Sequence, residues 1–176
     1  MKTQKLIVIA AIVCLLVGAS GAAMAKKGAT NTNTCDLGVV PGEVVIGNLE
    51  VTSQDCVVFQ AIIMGDVIVD NTRKGDSGFI FIMRDTIVNG MVEVTGGSAV
   101  ISGTEVINSN LVVIDTIDTV VNETLVAAGN MRFESNERVL IRGNVVPVGS
   151  IRCVKNIEEY ATQNLAPNGV VKCFGQ

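Results

Sequence analysis

Three hexapeptides in the middle of the chain decide its fold: Asn-Gly-Met-Val-Glu-Val at 89–94, Asn-Ser-Asn-Leu-Val-Val at 108–113, and Ala-Gly-Asn-Met-Arg-Phe at 128–133. In each, polar or small residues lead into a triplet whose first and third members are apolar. From one hexapeptide to the next the step is about 20 residues, and a regular step of this length is typical of a solenoid. Each repeat of a solenoid forms one coil.

The same triplet recurs over most of the chain. Its first member stands at positions 49, 67, 92, 111, 131, 151 and 171, and both outer members are always apolar or Cys. Because side chains alternate along a strand, the two outer members of a triplet face the same side. The predicted inward pairs are Leu49/Val51, Val67/Val69, Val92/Val94, Leu111/Val113, Met131/Phe133, Ile151/Cys153 and Val171/Cys173.

Two further short apolar segments lie between successive triplets, for example 99–101 and 106–107. Three short strands per coil of about 20 residues predict an all-β fold. The fold class is a single-stranded parallel β-helix of about six to seven coils. A left-handed hexapeptide helix keeps a stricter period of about 18 residues, so the drift of the step from 18 to 25 favours the right-handed type.

Polar residues directly precede five of the triplets. At a repeated corner such side chains can hydrogen-bond the backbone of the turn and stack on the next coil. A metal- or ligand-binding ladder is the alternative interpretation, and the structural one is favoured. The residues are Asn48, Asp66, Asn110, Asn130 and Ser150.

Residues 1–25 are predicted to be a secretory signal peptide. Lys2 and Lys5 precede an apolar run at 6–17, and Ala-Met-Ala at 23–25 provides a cleavage site. A transmembrane anchor needs roughly 20 apolar residues and is disfavoured by the break at Gly18. No second run of spanning length follows. We therefore expect a secreted protein, periplasmic or extracellular, without a membrane span after cleavage.

The composition narrows the functional classes. Removing the two signal lysines leaves 11 of the 13 basic residues against 17 acidic ones, a net charge of −6, which argues against a nucleic-acid partner. Histidine is absent, so the commonest general base and zinc ligand is missing. About 150 residues after cleavage suit one domain with its own core.

Four cysteines remain after cleavage: Cys35, Cys56, Cys153 and Cys173. An even number in an exported chain predicts two disulfides, with three possible pairings. Cys153 and Cys173 occupy the same position in consecutive coils, and Cys35 and Cys56 are also about one coil apart. Stacked coils lie about 4.8 Å apart, within the Cα separation that a disulfide accepts. We predict the pairs 35–56 and 153–173.

The longest step, from Val67 to Val92, contains an insertion at 71–78. Insertions in solenoids leave the coil as loops and often carry binding, although a tolerated surface loop is an equal alternative. The candidate binding residues are Asn71, Arg73, Lys74, Asp76 and Ser77.

The segment boundaries follow from these patterns. Residues 26–34 are polar and without a period, and the apolar pattern dissolves from Asn156 to Gly169, which predicts a loop or short helix there. The predicted segments are a signal peptide at 1–25, a flexible lead-in and N-terminal cap at 26–44, coils at 45–155, and a C-terminal loop or cap with the last coil at 156–176.

The stretch Thr-Ile-Val-Asn-Gly-Met-Val-Glu-Val at 86–94 resembles a group of small secreted bacterial β-helix proteins, whose repeats run Thr-Val-Asn-Gly-Asn-Val-x-Val. Residues 124–133 and 142–145 and the closing cysteines are similar too, whereas Met91 and Ser109 depart from the pattern. The resemblance implies a right-handed β-helix and export, with no assigned activity. More distantly, the chain resembles the bactofilin β-helices, which polymerise in the cytoplasm.

The middle residue of each triplet should point outward, where a β-helical polysaccharide enzyme would carry its reactive groups. Neither a close carboxylate pair nor an aromatic platform is evident. Asp115 and Asp118 are too few to argue a calcium site, and a solvated corner is favoured. The outward residues are Glu50, Ile68, Glu93, Val112, Arg132, Arg152 and Lys172.

The sequence therefore predicts a non-catalytic structural or adhesin-like binding module of the cell surface or periplasm, without cofactor or metal. One alternative is a small polysaccharide-binding or polysaccharide-active protein. Another is a self-assembling extracellular matrix or filament subunit, because opposite charges lie towards the two ends of the outward residues. The expected partner is a cell-surface glycan, a protein or another copy of the chain.

Overall fold

The computed structural model describes residues 32–35, 41–51, 55–72 and 80–174. Nineteen strands and no helix occur in these residues. The strands are β1 (Thr32–Thr34), β2 (Val44–Val45), β3 (Asn48–Val51), β4 (Cys56–Phe59), β5 (Ile62–Ile63), β6 (Val67–Asp70), β7 (Ile80–Arg84), β8 (Ile87–Val88), β9 (Val92–Thr95), β10 (Ser98–Ser102), β11 (Glu105–Val106), β12 (Leu111–Ile114), β13 (Asp118–Asn122), β14 (Leu125–Val126), β15 (Met131–Glu134), β16 (Arg138–Arg142), β17 (Ile151–Val154), β18 (Glu158–Thr162) and β19 (Val171–Lys172).

The strands form three parallel sheets, and each coil contributes one strand to each sheet in turn. Sheet A has eight strands in the order β1-β3-β6-β9-β12-β15-β17-β19. Sheet B has six in the order β4-β7-β10-β13-β16-β18, and sheet C has five in the order β2-β5-β8-β11-β14. Bridges at Val145 and Leu165 continue sheet C. The fold is a parallel β-helix of about six turns, as predicted; its right hand stays a prediction.

The core fills the interior of the coil. In sheet A, Leu49 pairs with Val67, and Val67 pairs with Val92. The observed strand register therefore matches the predicted alignment of the triplets, even across the longest step. The first five predicted inward pairs are fully buried, as is Ile151. Cys153, Val171 and Cys173 in the last coils are partly buried and pack against this core. The spacing of the triplets therefore identified the interior correctly.

Both predicted disulfides are present. Cys35 and Cys56 join across a Cα separation of 5.9 Å, and Cys153 and Cys173 across 5.0 Å. The first pair links the chain before β2 to β4, and the second links the last two coils. The β-helix is thus covalently closed near each end of its described part.

The corner that follows sheet B repeats one left-handed backbone conformation in six coils, with φ between 49° and 65°. This conformation turns the chain so that the next residue points inward, and that residue is buried in every coil. The left-handed residues are Gln60, Asp85, Gly103, Glu123, Gly143 and Gln163. The buried residues that follow them are Ala61, Thr86, Thr104, Thr124, Asn144 and Asn164.

The buried polar side chains at these corners are hydrogen-bonded, as the interior requires. Asn144 is inaccessible to solvent. Its Oδ1 accepts a hydrogen bond from the backbone N of Thr124 at 3.0 Å. Its Nδ2 donates to the Val121 carbonyl at 2.9 Å and to Asn164 Oδ1 at 2.9 Å. An asparagine ladder therefore runs inside the coil, parallel to the apolar core.

The polar residues before the triplets serve the corner between sheets C and A, which confirms the structural interpretation. Asn48 Oδ1 accepts the backbone N–H of Asp66 at 2.9 Å, and Asp66 Oδ1 accepts that of Met91 at 2.7 Å. Asn110 and Asn130 do the same for the next coils at 2.8 and 2.9 Å. The side-chain oxygen of each corner thus binds the coil above.

Two predictions about the ends are wrong. The sequence predicts a loop or short helix at 156–169, but β18 lies within these residues and pairs along its length with β16. At the other end, β1 pairs with β3, so the flexible lead-in predicted for 26–34 does not extend over its last three residues. In both places a neighbouring strand supplies the backbone hydrogen bonds, so polar side chains do not prevent strand formation. Residues 26–31 lie outside the described residues.

Candidate functional site

The insertion at 71–78 begins in the structured coil. Asn71 is only 6% exposed, and its backbone N donates to the Thr95 carbonyl at 2.9 Å. The backbone N and the hydroxyl of Thr72 both donate to Asp70 Oδ1, at 3.1 and 2.6 Å. Asn71 is therefore buried at a corner of the coil, and its role in binding stays a prediction. The other candidate residues, Arg73, Lys74, Asp76 and Ser77, lie outside the described residues.

The middle residues of the sheet A triplets form one straight outward row, which we call the charged row. The strand register aligns its members one above another, as predicted. Acidic residues lie near the first strands and basic residues near the last. Arg132 also contacts Glu134 of its own strand as an ion pair. The row consists of Glu50, Ile68, Glu93, Val112, Arg132, Arg152 and Lys172.

A second outward row, on sheet B, is apolar over six consecutive strands and is not among the features predicted from the sequence. Its members alternate with buried residues, so they face solvent. Val57 is 48% exposed, Leu140 41% and Tyr160 66%. This apolar row consists of Val57, Ile82, Val100, Val120, Leu140 and Tyr160.

Charged side chains border one end of the apolar row. Arg138 forms an ion pair with Asp118 on the neighbouring strand, and Glu158 lies on the other side of Arg138. The hydrogen bond to Asp118, together with its negative charge, raises the pKa of Arg138. These three residues, with Leu140 and Tyr160, line a shallow groove of about 260 Å³.

Asp115 and Asp118 lie in different settings. Asp115 lies at the exposed corner between sheets A and B in a left-handed conformation, with φ 53°. Asp118 begins β13 and is engaged by Arg138. The expectation of a solvated corner holds for Asp115, whereas Asp118 belongs to the border of the apolar row.

Sheet C also presents apolar residues outward, but with one acidic residue among them. Glu105 lies between Ile87 and Leu125 in the strand register. Its partial burial raises the pKa of its carboxyl group, because burial disfavours the charged form. The ionised form of Glu105 is thus destabilised on this face of the folded protein.

The C-terminal end of the coil contains one cluster of potential metal ligands, formed by Cys153, Glu159 and Cys173. Both sulfurs belong to a disulfide, and metals bind the thiolate. Glu159 occupies an inward position of β18 and accepts hydrogen bonds from Asn156 Nδ2 at 3.2 Å and from the backbone N of Phe174. This cluster therefore closes the end of the interior, and the disulfide occupies both of its sulfur atoms.

Comparison with known protein families, with curated proteins and with solved structures finds no match for this chain. The resemblance to small secreted β-helix proteins therefore stays a prediction beyond the β-helix fold itself. Among the residues that the structure describes, no helix is long and apolar enough to cross a membrane.

Proposed function

We propose that this protein is a non-catalytic binding module that acts in an oxidising compartment, the periplasm or the cell exterior. Its contact surface is the apolar row of sheet B with the charged groove at its end. The observation that carries this proposal is the alignment of six outward apolar side chains, several of them about half exposed, on consecutive strands. Extended exposed apolar surface is typical of interaction sites. The two disulfides suit the compartment.

The scaffold favours recognition because it holds these side chains in fixed positions. Outward residues of neighbouring strands lie about 4.8 Å apart, and the corners are fixed by hydrogen-bonded ladders. A partner with a flat, partly apolar surface can therefore bind without an ordering cost in this protein. The charged residues at the border orient the partner by electrostatic attraction, as the polar rim of an interface does. They are Asp118, Arg138 and Glu158.

A polysaccharide is the second candidate for the partner, and Tyr160 is the observation that favours it. This exposed aromatic ring lies in the groove beside Arg138 and Glu158. An aromatic face with adjacent hydrogen-bonding groups provides both apolar contact and polar recognition. The backbones of Asp118 and Glu158 are two strands apart, about 9.6 Å. The Arg138 side chain lies between them and forms an ion pair with Asp118. This arrangement supports holding a ligand rather than cleaving it.

The proposal is tested with the exported, oxidised protein on a glycan array and in pull-down from isolated cell envelope. Leu140→Ser and Tyr160→Ala should each abolish capture, because they remove exposed apolar contact at the groove. Leu125→Ser, an outward leucine of sheet C, is the matched control and should leave capture unchanged.

A third variant, with residues 73–77 replaced by Gly and Ser, separates the groove from the insertion. Loss of binding in this variant alone would assign recognition to the insertion instead of sheet B. A folded wild-type protein that binds neither glycan nor envelope would contradict the proposed function.

A further inference from the structure

We infer that the charged row of sheet A is the contact surface of a closed, antiparallel dimer of this chain, with its two-fold axis over Val112. The partner is a second copy, related by a half-turn about an axis that lies in the interface over Val112 and runs parallel to the strands, so that the two sheet faces meet and the two coils run in opposite directions. This surface is separate from the apolar row of sheet B, and the inference does not depend on the binding function proposed for that row.

The order of charges along the row carries the inference. The row has seven members, and Val112 is the fourth, at its centre. A half-turn about this axis places each residue of one copy opposite a residue of the other copy. The two lie the same number of strands from Val112, but on opposite sides of it. The partner's copies then match as Glu50 with Lys172, Ile68 with Arg152, Glu93 with Arg132, and Val112 with Val112. Both acidic residues thus face basic ones, and each contact occurs twice, as in any isologous interface.

The same charges disfavour the other symmetric arrangement. In a parallel dimer, with the two-fold axis along the coil, every residue of the row faces its own copy. Glu93 would then oppose Glu93, and Arg132 would oppose Arg132. Like charges placed across an interface suppress that geometry, so the row selects one orientation.

The neighbouring outward positions of sheet A are compatible with the antiparallel arrangement. The row that follows the charged row is centred on Ile114, which faces its own copy. In the same half-turn Thr95 faces Glu134, and Asp70 faces Val154. No like charges meet at these described positions. Arg132 keeps its contact with Glu134, and its guanidinium has enough N–H donors to bind the partner's Glu93 too.

The size of the surface determines how tight the dimer can be. Seven strands at about 4.8 Å and four residues at about 3.3 Å give a face of roughly 34 by 13 Å, on the order of 450 Å² per partner. Stable complexes typically bury about 800 Å² per partner. The expected dimer is therefore weak and salt-sensitive, because its ion pairs are exposed to solvent.

Sedimentation equilibrium of the exported, oxidised protein tests the inference over a wide concentration range. A monomer–dimer equilibrium is expected at low salt. About 1 M NaCl should shift it to monomer, because at that ionic strength charge–charge attraction is screened beyond about 3 Å. Glu93→Arg should weaken the dimer by about tenfold or more, because two attractive contacts become two repulsive ones. The double variant Glu93→Arg with Arg132→Glu restores opposite charges and should recover the association. Glu123→Arg, at an exposed corner after sheet B, is the matched control and should have no effect.

Distances between spin labels test the orientation. Labels on Val112→Cys should lie about 10 Å apart, the spacing of packed sheets, whereas labels on Ile68→Cys should be about 20 Å apart, since four strand steps separate them. Equal short distances at both positions would indicate the parallel arrangement and overturn the inference. It would also be overturned by a monomer at all concentrations, by species that grow without limit, or by a dimer insensitive to Glu93→Arg.

Discussion

Asn156 holds Asn136 of the preceding coil by two hydrogen bonds to one atom. Its Oδ1 accepts the backbone N–H of Asn136 at 3.0 Å and the side-chain Nδ2 at 2.9 Å. Asn136 repeats this relationship one coil earlier, where its Oδ1 accepts the backbone N and the hydroxyl of Thr116 at 2.9 and 2.6 Å. A continuous polar chain therefore fixes the corner between sheets A and B.

Asn136→Ala should destabilise the protein by about 2–4 kcal/mol, because it leaves the Thr116 N–H buried without this partner and removes the amide hydrogen bond to the Val113 carbonyl. Asn136 is inaccessible to solvent, so water cannot replace the amide. Urea unfolding followed by circular dichroism measures the change. Asn108→Ala removes the exposed contact to Asn89 and is the control, with an expected loss under about 0.5 kcal/mol. Equal losses of unfolding free energy in the two variants would contradict a larger contribution of the buried ladder to stability.

Gly90→Ala should destabilise the β-helix by several kcal/mol for a steric reason. A Cβ at this position would lie 2.6 Å from the Gly65 carbonyl oxygen of the coil below, and backbone cannot move aside cheaply. Gly42→Ala is the control, because its φ is +81° but the space for a Cβ is open. It should cost only about 1 kcal/mol of backbone strain. Thermal melts distinguish the two, and a mild effect at Gly90 would mean that the coils can separate at this corner.

Removing the C-terminal disulfide by Cys153→Ala with Cys173→Ala should cost about 3 kcal/mol, since it releases a loop of about 20 residues in the unfolded chain. The loss should appear first at the end of the coil. Hydrogen exchange should therefore accelerate in β17 and β19 before it does in β12. Uniform acceleration across sheet A would contradict a local role for this disulfide.

The stability of the protein should depend on pH through Glu105. Its folded pKa is raised by burial, so the folded state binds a proton more tightly than the unfolded state does. The stabilisation from this proton is present at low pH and is lost as the pH rises from the unfolded pKa through the folded one. Glu105→Gln should therefore be more stabilising at pH 7 than at pH 4. Denaturant titrations of both proteins at the two pH values measure the difference, and an equal effect of Glu105→Gln at both pH values would contradict the prediction.

The sequence predicts the interior of the coil well because apolar spacing reports burial directly. The triplet steps, the first five inward pairs and both disulfides all follow from residues at matching positions. β18 escapes this reasoning because Glu159 occupies its inward position at the end of the coil, where a polar residue closes the interior instead of packing within it. The buried Asn136 and Asn144 escape it too, since their pairing with backbone groups is set by the corner conformation and not by hydropathy.

The candidate surface is harder to predict than the core. In β13 and β16 the inward and outward residues are both aliphatic, as with Val120 beside Val121 and Leu140 beside Ile141. A run of this kind does not reveal which member faces solvent until the strand register is known. The charged row of sheet A was predictable because five of its seven members are charged residues that lie between apolar ones.

The coil with the longest step tolerates its extra length without disturbing either adjoining sheet. Before the insertion, Asp70 pairs with Thr95; after it, Ile80 pairs with Ser98. The strand ladders before and after the insertion therefore continue in register. The insertion is consequently a natural grafting point. A foreign peptide inserted after Thr72 should therefore leave the strand pairing on either side intact and be displayed from a covalently closed frame.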